Sequence, residues 1–307
     1  MYIFKKKFII SFKNGLCNQL ILLAKAIIIG HIFNRDLIFN GFQVDYQGSD
    51  YWPLDSVVNI NKLQQFLINN KIYVTLFTNF IYDKNNNRNG KNSKNRKNYK
   101  ILEKDNPFLI DEINKNLDYQ FLDCQTIFPA HIPDIYYKLF EHILINIDFV
   151  DFFHEKVAKI KNVLCLKNYN CVHLRMEDDI IHFMKQDFNY DNDFTNKYYK
   201  GLYNEELEKM VGQKVFICTG LGLSENMNNN YYEEIKNKYN LVDKHQYMDN
   251  FYKYRELHAI IDLIIAKESD YFVGGNISTF SYVVILHFNS KNKNFKQLKT
   301  YLGVNDS

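Results

Sequence analysis

The chain has 307 residues, 46% hydrophobic and 24% charged, with a formal net charge of +3. That apolar content suffices for one large core or two ordinary ones, and the near balance of charge gives no compositional pull toward nucleic acid. With few prolines and glycines among apolar runs of strand and helix length, the composition predicts a compact α/β protein.

The amino end, MYIFKKKFIISF, sets a basic cluster before an apolar stretch. That stretch, residues 8–12, is too short for a signal-peptide core. The longest apolar segment, residues 20–33, is broken by Lys25 and His31 and falls short of the ~20 residues of a membrane span. Both features predict a soluble, cytoplasmic protein with no signal peptide or transmembrane segment. Cys17, Cys124, Cys165, Cys171 and Cys218 form no C-x-x-C pair and mostly lie in apolar runs. They read as buried, reduced thiols rather than a disulfide framework or a zinc site.

Residues 8–12 predict a first buried strand, followed by a turn and a helix over 18–33. Gly15 permits a sharp turn, and Asn18 can cap the helix or offer its amide to a ligand. A second strand over 35–40 completes a Rossmann-like half. Residues 46–59, aromatic and turn-rich around the single tryptophan Trp52, read as a loop packed on the core, or else as a wall facing an acceptor. A strand is expected over 71–77. Residues 83–100 are nearly all Asn, Lys and Arg, too polar to offset ordering entropy. They read as a flexible surface insertion in preference to a basic arm for an anionic partner. Helices are expected over 135–147 and 151–163, with a domain boundary near 155, giving domains 1–155 and 156–307.

The second half repeats the rhythm, with strands expected at 169–175 and 214–219 and helices at 197–211, 231–239 and 257–267. A strand from Tyr271 then stops at Gly274-Gly275-Asn276, and Ser278-Thr279-Phe280-Ser281 opens a helix. Strands alternating with helices imply a mostly parallel sheet with ligands at the carboxyl ends of its strands.

Three stretches carry possible chemistry. The strand-turn-helix at 271–284 directs backbone N–H groups and hydroxyls at one spot, behind them the positive end of a helix dipole, which suits a phosphate. On the strand ending near 175, His173 and Arg175 share a face. An arginine there can fork onto a pyrophosphate, or pair with Glu177, Asp178 or Asp179 just after it. Asp262 interrupts the otherwise apolar helix AIIDLIIA, where a carboxylate must be paired or bound by a ligand. It can accept two N–H donors from a guanine base, or pair with Arg255 or Lys267.

Together, H-x-R ending a strand, an Asp on a helix, the D-x-F-x-G-x-x-x-S-T-F-S run from Asp270, and Asn18-Gln19 after Gly15-Leu16 resemble the GDP-fucose-dependent fucosyltransferase superfamily. That superfamily includes protein O-fucosyltransferases and α1,2- and α1,6-fucosyltransferases. The resemblance implies a GT-B fold, two Rossmann-like domains facing across a cleft, and an inverting, metal-independent glycosyltransferase that moves fucose from GDP-fucose to a glycan, with no cofactor. It implies that Arg175 binds the β-phosphate, His173 contacts the nucleotide and Asp262 reads the guanine. Ser278, Thr279 and Phe280 would wrap the phosphates, while Gly15 shapes the turn and Asn18 reaches the sugar or pyrophosphate from the first domain. Glu177 and Asp178 are candidate bases, with Arg175 and Asn18 acting on the departing diphosphate. The sequence departs from the family pattern at Asn14 and Cys17, at Glu177 where H-x-R-x-G-D has Gly, and at Thr219-Gly220 where relatives often have Thr-Asp. These departures leave room for another nucleotide sugar as donor, or for a non-catalytic GDP-sugar- or glycan-binding protein. A nucleic-acid-binding role for the basic stretch ranks last.

Overall fold

The structure is a computed structural model of the 307-residue chain. It describes residues 5–12, 14–44, 50–78, 99–102, 109–124, 131–188, 191–222, 228–248 and 254–299. The chain divides into two compact units, Met1–Asp151 and Phe152–Ser307.

In the first unit, β1 (Lys7–Ile10) runs into α1 (Leu16–Ile32), then β2 (Asp36–Phe39). A small antiparallel pair, β3 (Phe42–Gln43) and β4 (Tyr51–Trp52), sets Trp52 opposite Phe42. After α2 (Ile60–Asn69) come β5 (Leu76–Phe77), β6 (Tyr99–Ile101), α3 (Leu109–Lys115), β7 (Phe121–Cys124) and α4 (Tyr137–Asn146). The five-stranded sheet has the order β5-β2-β1-β7-β6 and is parallel throughout. Its central strand is buried on both faces, which is why Phe8 to Ile10 is an unbroken apolar run. Helix α1 is apolar on nearly every side because it is enclosed, with Ile27, Ile28 and Ile29 fully buried. Gly30 lets α1 approach β2, since a Cβ there would lie 3.0 Å from the Arg35 carbonyl oxygen.

The opening turn differs from the sequence expectation. Asn14, at φ 72°, makes the left-handed step, whereas Gly15 has φ −62° and serves as the residue before α1. Asn tolerates that region better than other non-glycine residues. Asn18 lies in the first turn of α1 and is no cap. The turn is held instead by buried Gln19, whose Nε2 donates to the Asn14 and Gln43 carbonyls at 2.9 and 2.8 Å and whose Oε1 accepts the Gln43 N–H at 2.9 Å. The strand expected over 71–77 pairs only at its end, Leu76–Phe77. Of the stretch 83–100, residues 83–98 lie outside the described residues, and Tyr99 and Lys100 open β6.

The second unit contains α5 (Asp151–Val163), β8 (Asn170–His173), α6 (Asp178–Phe188) and α7 (Asn192–Lys209), with α5 starting at the junction. There follow β9 (Val215–Cys218), α8 (Asn229–Lys238), α9 (Arg255–Glu268), β10 (Tyr271–Gly275), α10 (Thr279–Ser290) and β11 (Asn294–Leu298). Its four parallel strands are ordered β11-β10-β8-β9, so β8 and β10 are neighbours although distant in sequence. Val172, Val273, Val215, Ile217, Tyr199 and Tyr203 belong to one buried cluster. This order sets the carboxyl ends of β8, β9 and β10 side by side, where open parallel sheets place their ligands. Cys17, Cys171 and Cys218 are buried free thiols, but Cys165 is exposed, contrary to expectation; it sits at φ 53° in the turn after α5. Among the described residues, no helix is long and apolar enough to cross a membrane.

Candidate functional site

His173 ends β8, paired with Cys218 at the end of β9. Its Nδ1 lies 2.9 Å from Ser281 Oγ and 3.5 Å from Ser278 Oγ, and its ring packs 4.4 Å from that of Phe280. Burial pushes the imidazole down to about 3, so at neutral pH it is an uncharged hydrogen-bonding group. Ser278 caps α10 as expected, accepting the Ser281 N–H at 3.4 Å. The hydroxyl that meets His173 most closely belongs to Ser281, which the sequence reading passed over. Thr279 and Phe280 start the helix, so their N–H groups have no intrahelical acceptor and carry the positive dipole end.

Gly274 makes this junction possible. A Cβ on it would lie 2.8 Å from the Ser281 Cβ, and Ser281 is fully buried. Gly274→Ala is expected to push α10 off β10, costing about 1–3 kcal/mol. The check is a thermal melt, with Tm lower by roughly 2–10 °C.

The backbone from His173 to Arg175 is tied to its neighbours. The Tyr203 hydroxyl donates to the His173 carbonyl at 3.0 Å and accepts the Arg175 N–H at 3.1 Å. The Leu174 N–H donates to the Cys218 carbonyl, and Thr219 Oγ1 donates to the Leu174 carbonyl, both at 2.9 Å. Arg175 is thereby delivered beyond the strand end, a fifth of its side chain exposed. Its Nη1 and Nη2 fork onto Asp179 at 2.9 and 2.8 Å, and Nη1 also donates to Glu177 Oε2 at 2.6 Å. Burial works against the guanidinium's charge, but Glu177 and Asp179 hold it well above its usual range.

Glu177 is not the solvated acid its sequence position suggests. It is buried, and Oε1 accepts the Gly220 N–H at 2.9 Å. Burial alone would raise its carboxyl, but Arg175 and then Arg255 draw it down to about 2, a poor setting for a base. Its space exists because position 220 lacks a side chain, so the two departures at 177 and 220 touch one another. Asp178 opens α6, and Asp179 also lies 3.9 Å from Arg255.

Asp262 is buried in α9, with a partner that neither expectation named. Lys244, fully buried in the loop after α8, donates to Asp262 Oδ2 at 2.6 Å and to the Thr219 carbonyl at 3.2 Å. Burial pushes the Asp262 carboxyl up to about 7 against the pull of Lys244. Oδ1 is buried and makes no hydrogen bond among the described residues. Since Cys218 Sγ lies 3.6 Å from the Asp262 carbonyl, the acid sits beside the β9 tip. The structure thus gathers His173, Arg175, Asp262, Ser278, Thr279 and Phe280 around the carboxyl edge of one sheet. In the first unit, Asn18 keeps a buried Oδ1 that makes no hydrogen bond among the described residues.

Among solved structures, the chain is similar to POFUT1 in its apo form, with 14% identity, TM-score 0.64 and coverage of 97% of this chain and 99% of that chain. It is also similar to POFUT1 in complex with GDP-fucose, at 15% identity, TM-score 0.63 and coverage of 96% and 98%. The fucosyltransferase NodZ from Bradyrhizobium matches at 12% identity, TM-score 0.55 and coverage of 92% and 91%. Two parallel-sheet α/β units match the GT-B-like fold of these fucosyltransferases. No curated protein sequence matches. The family model for GDP-fucose protein O-fucosyltransferase does match, over residues 51–290, most of the chain, and the chain belongs to that family.

Proposed function

We propose that this protein is an inverting glycosyltransferase that takes fucose from GDP-fucose and places it on a glycan, without a metal ion. The observation that carries this reading is the meeting, at the tips of β8 and β10, of a fixed arginine, a neutral histidine and the open N-terminus of α10. Breaking a glycosyl–phosphate bond puts negative charge on the departing diphosphate. Preorganised donors facing that charge supply most of the help such a reaction needs, about 3–4 kcal/mol for one donor. Arg175 takes the role a divalent cation plays elsewhere, and Ser278, Thr279 and Phe280 offer the α10 N–H groups. Asp262 Oδ1 accepts from the guanine. In the first unit, Asn18, on a turn that Asn14 and Gly15 shape, keeps an Oδ1 open to a polar ligand. The acceptor loses its proton late or to Asp178, since Glu177 is committed to Arg175. The free thiols Cys17, Cys171 and Cys218 fit a reducing compartment.

The test is a thermal-shift panel of GDP, UDP, GDP-fucose and RNA, followed by transfer assays with the product linkage and anomer read by NMR. GDP and GDP-fucose should raise Tm while UDP and RNA should not. A preference for UDP would replace the donor, and GDP binding with neither hydrolysis nor transfer would make the protein a binder rather than an enzyme.

A further inference from the structure

A guanidinium carries five N–H donors on one rigid plane. In Arg175, Asp179 takes the two that point along the end of the plane, and Glu177 takes the other Nη1 proton. What remains is the side-on edge, Nε–H with the second Nη2–H, to which no acceptor is bound among the described residues. The two carboxylates differ in how firmly they sit. Asp179 is 37% exposed on the first turn of α6, whereas Glu177 is 10% exposed and pinned through its other oxygen to the Gly220 N–H. A Cβ at position 220 would lie 2.9 Å from Glu177 Oε1, so the acid fills a space that only glycine leaves open.

We infer that Glu177 is a positioning residue: it fixes the plane of Arg175 so that the Nε/Nη2 edge alone is offered, and the β-phosphate of the donor binds there side-on. The inference rests on the GDP-sugar reading above. Two parallel N–H groups on that edge match two phosphate oxygens in the bidentate geometry that arginine favours. Asp179 can yield to an incoming anion; Glu177, held at both oxygens, cannot, so the arginine keeps its orientation when the diphosphate arrives. It follows that the place of the carboxylate matters rather than its residue number. An Asp grafted at 220 points into the space that Glu177 would vacate.

The test is calorimetric binding of GDP, GMP and inorganic pyrophosphate to the wild type, Glu177→Gln, Glu177→Gly, Gly220→Asp and the double variant Glu177→Gly/Gly220→Asp. Glu177→Gln should weaken GDP and pyrophosphate by ~10-fold while leaving GMP, which lacks the β-phosphate, within ~2-fold. Glu177→Gly should lose more, and the double variant should return to within ~3-fold of wild type. Gly220→Asp alone, with two carboxylates in one space, should lose at least ~10-fold. Should Glu177→Gly fail to fold, the near-isosteric Glu177→Gln decides. Unchanged diphosphate binding in the Glu177 variants, equal losses for GMP and GDP, or no recovery in the double variant overturns the inference. If wild type binds pyrophosphate but not GDP, the guanosine donor reading fails and the role of Glu177 is read on pyrophosphate. If wild type binds neither, both are overturned.

Discussion

Replacing Arg175 by alanine is expected to lower GDP affinity and any fucose transfer by ~10²–10³-fold, the effect of losing two charge-assisted donors at a diphosphate. Arg175→Lys should recover little, because an ammonium cannot reproduce a fork held on one plane. The loss has a second component in stability. Glu177 keeps the Gly220 N–H, but it and Asp179 lose the cation between them, and Glu177 is nearly buried. In the wild type the Glu177 carboxyl lies at about 2, below its ordinary value of 4.5. A depressed carboxyl stabilises the folded state above the unfolded value, and that stability fades as pH falls from 4.5 toward 2. Arg175→Ala removes this contribution, so the Tm gap between wild type and variant should be full at pH 7 and close below pH 4.5. Thermal melts at pH 7, 5 and 3, beside GDP titrations at pH 7, separate the two effects. An Arg175→Ala protein that binds GDP as the wild type does would remove the arginine from the phosphate site.

What could be read from the sequence divides along a physical line. Local patterns were legible: β8 with His173, α9 with Asp262 amid its apolar run, and the Ser278 cap of α10 each follow from periodicity and turn chemistry within about ten residues. Contacts that close only in three dimensions were not. Ser281 belongs to the Ser-Thr-Phe-Ser cluster but was given no role of its own, yet β10 pairing with β8 brings its hydroxyl to His173. Glu177 looked like a solvated acid at a strand end, because nothing nearby in sequence shows that Gly220 leaves it a buried seat. Tyr203 falls within the helix expected over 197–211 with nothing to single it out, yet its hydroxyl joins the His173 carbonyl to the Arg175 N–H. The helix over 178–188 was missed because the acids that open it read as solvated acids at a strand end, although Asp178 and Asp179 in a first turn suit the helix dipole. Gly15 was credited with a turn that Asn14 makes, since asparagine's tolerance of positive φ is a weaker signal than glycine's.

Lys244 is the clearest omission, and it carries the second large effect. It sits in a loop of no periodicity, so nothing in the sequence marks it as fully buried. Lys244→Met is expected to cost about 3–5 kcal/mol, the penalty for stranding a buried partner. The corresponding fall in Tm is roughly 10 °C. The stranded group is Asp262, whose carboxyl burial already pushes up to about 7. Without the ammonium it rises further. A carboxyl raised above its unfolded value of 3.8 is accommodated while protonated and penalises the fold as pH rises through the folded value. The Tm deficit of Lys244→Met should therefore widen from pH 5 to pH 9. Replacing both partners, in Lys244→Met/Asp262→Leu, removes the stranded charge and should restore most of the stability, because apolar pairs often replace buried ion pairs at little cost. The double variant then isolates function from folding. It should melt near the wild type yet lose the preference for GDP over ADP, since no carboxylate is left to accept the guanine N–H groups. If instead it melts normally and still prefers GDP, the buried pair is structural and the base is read by other groups.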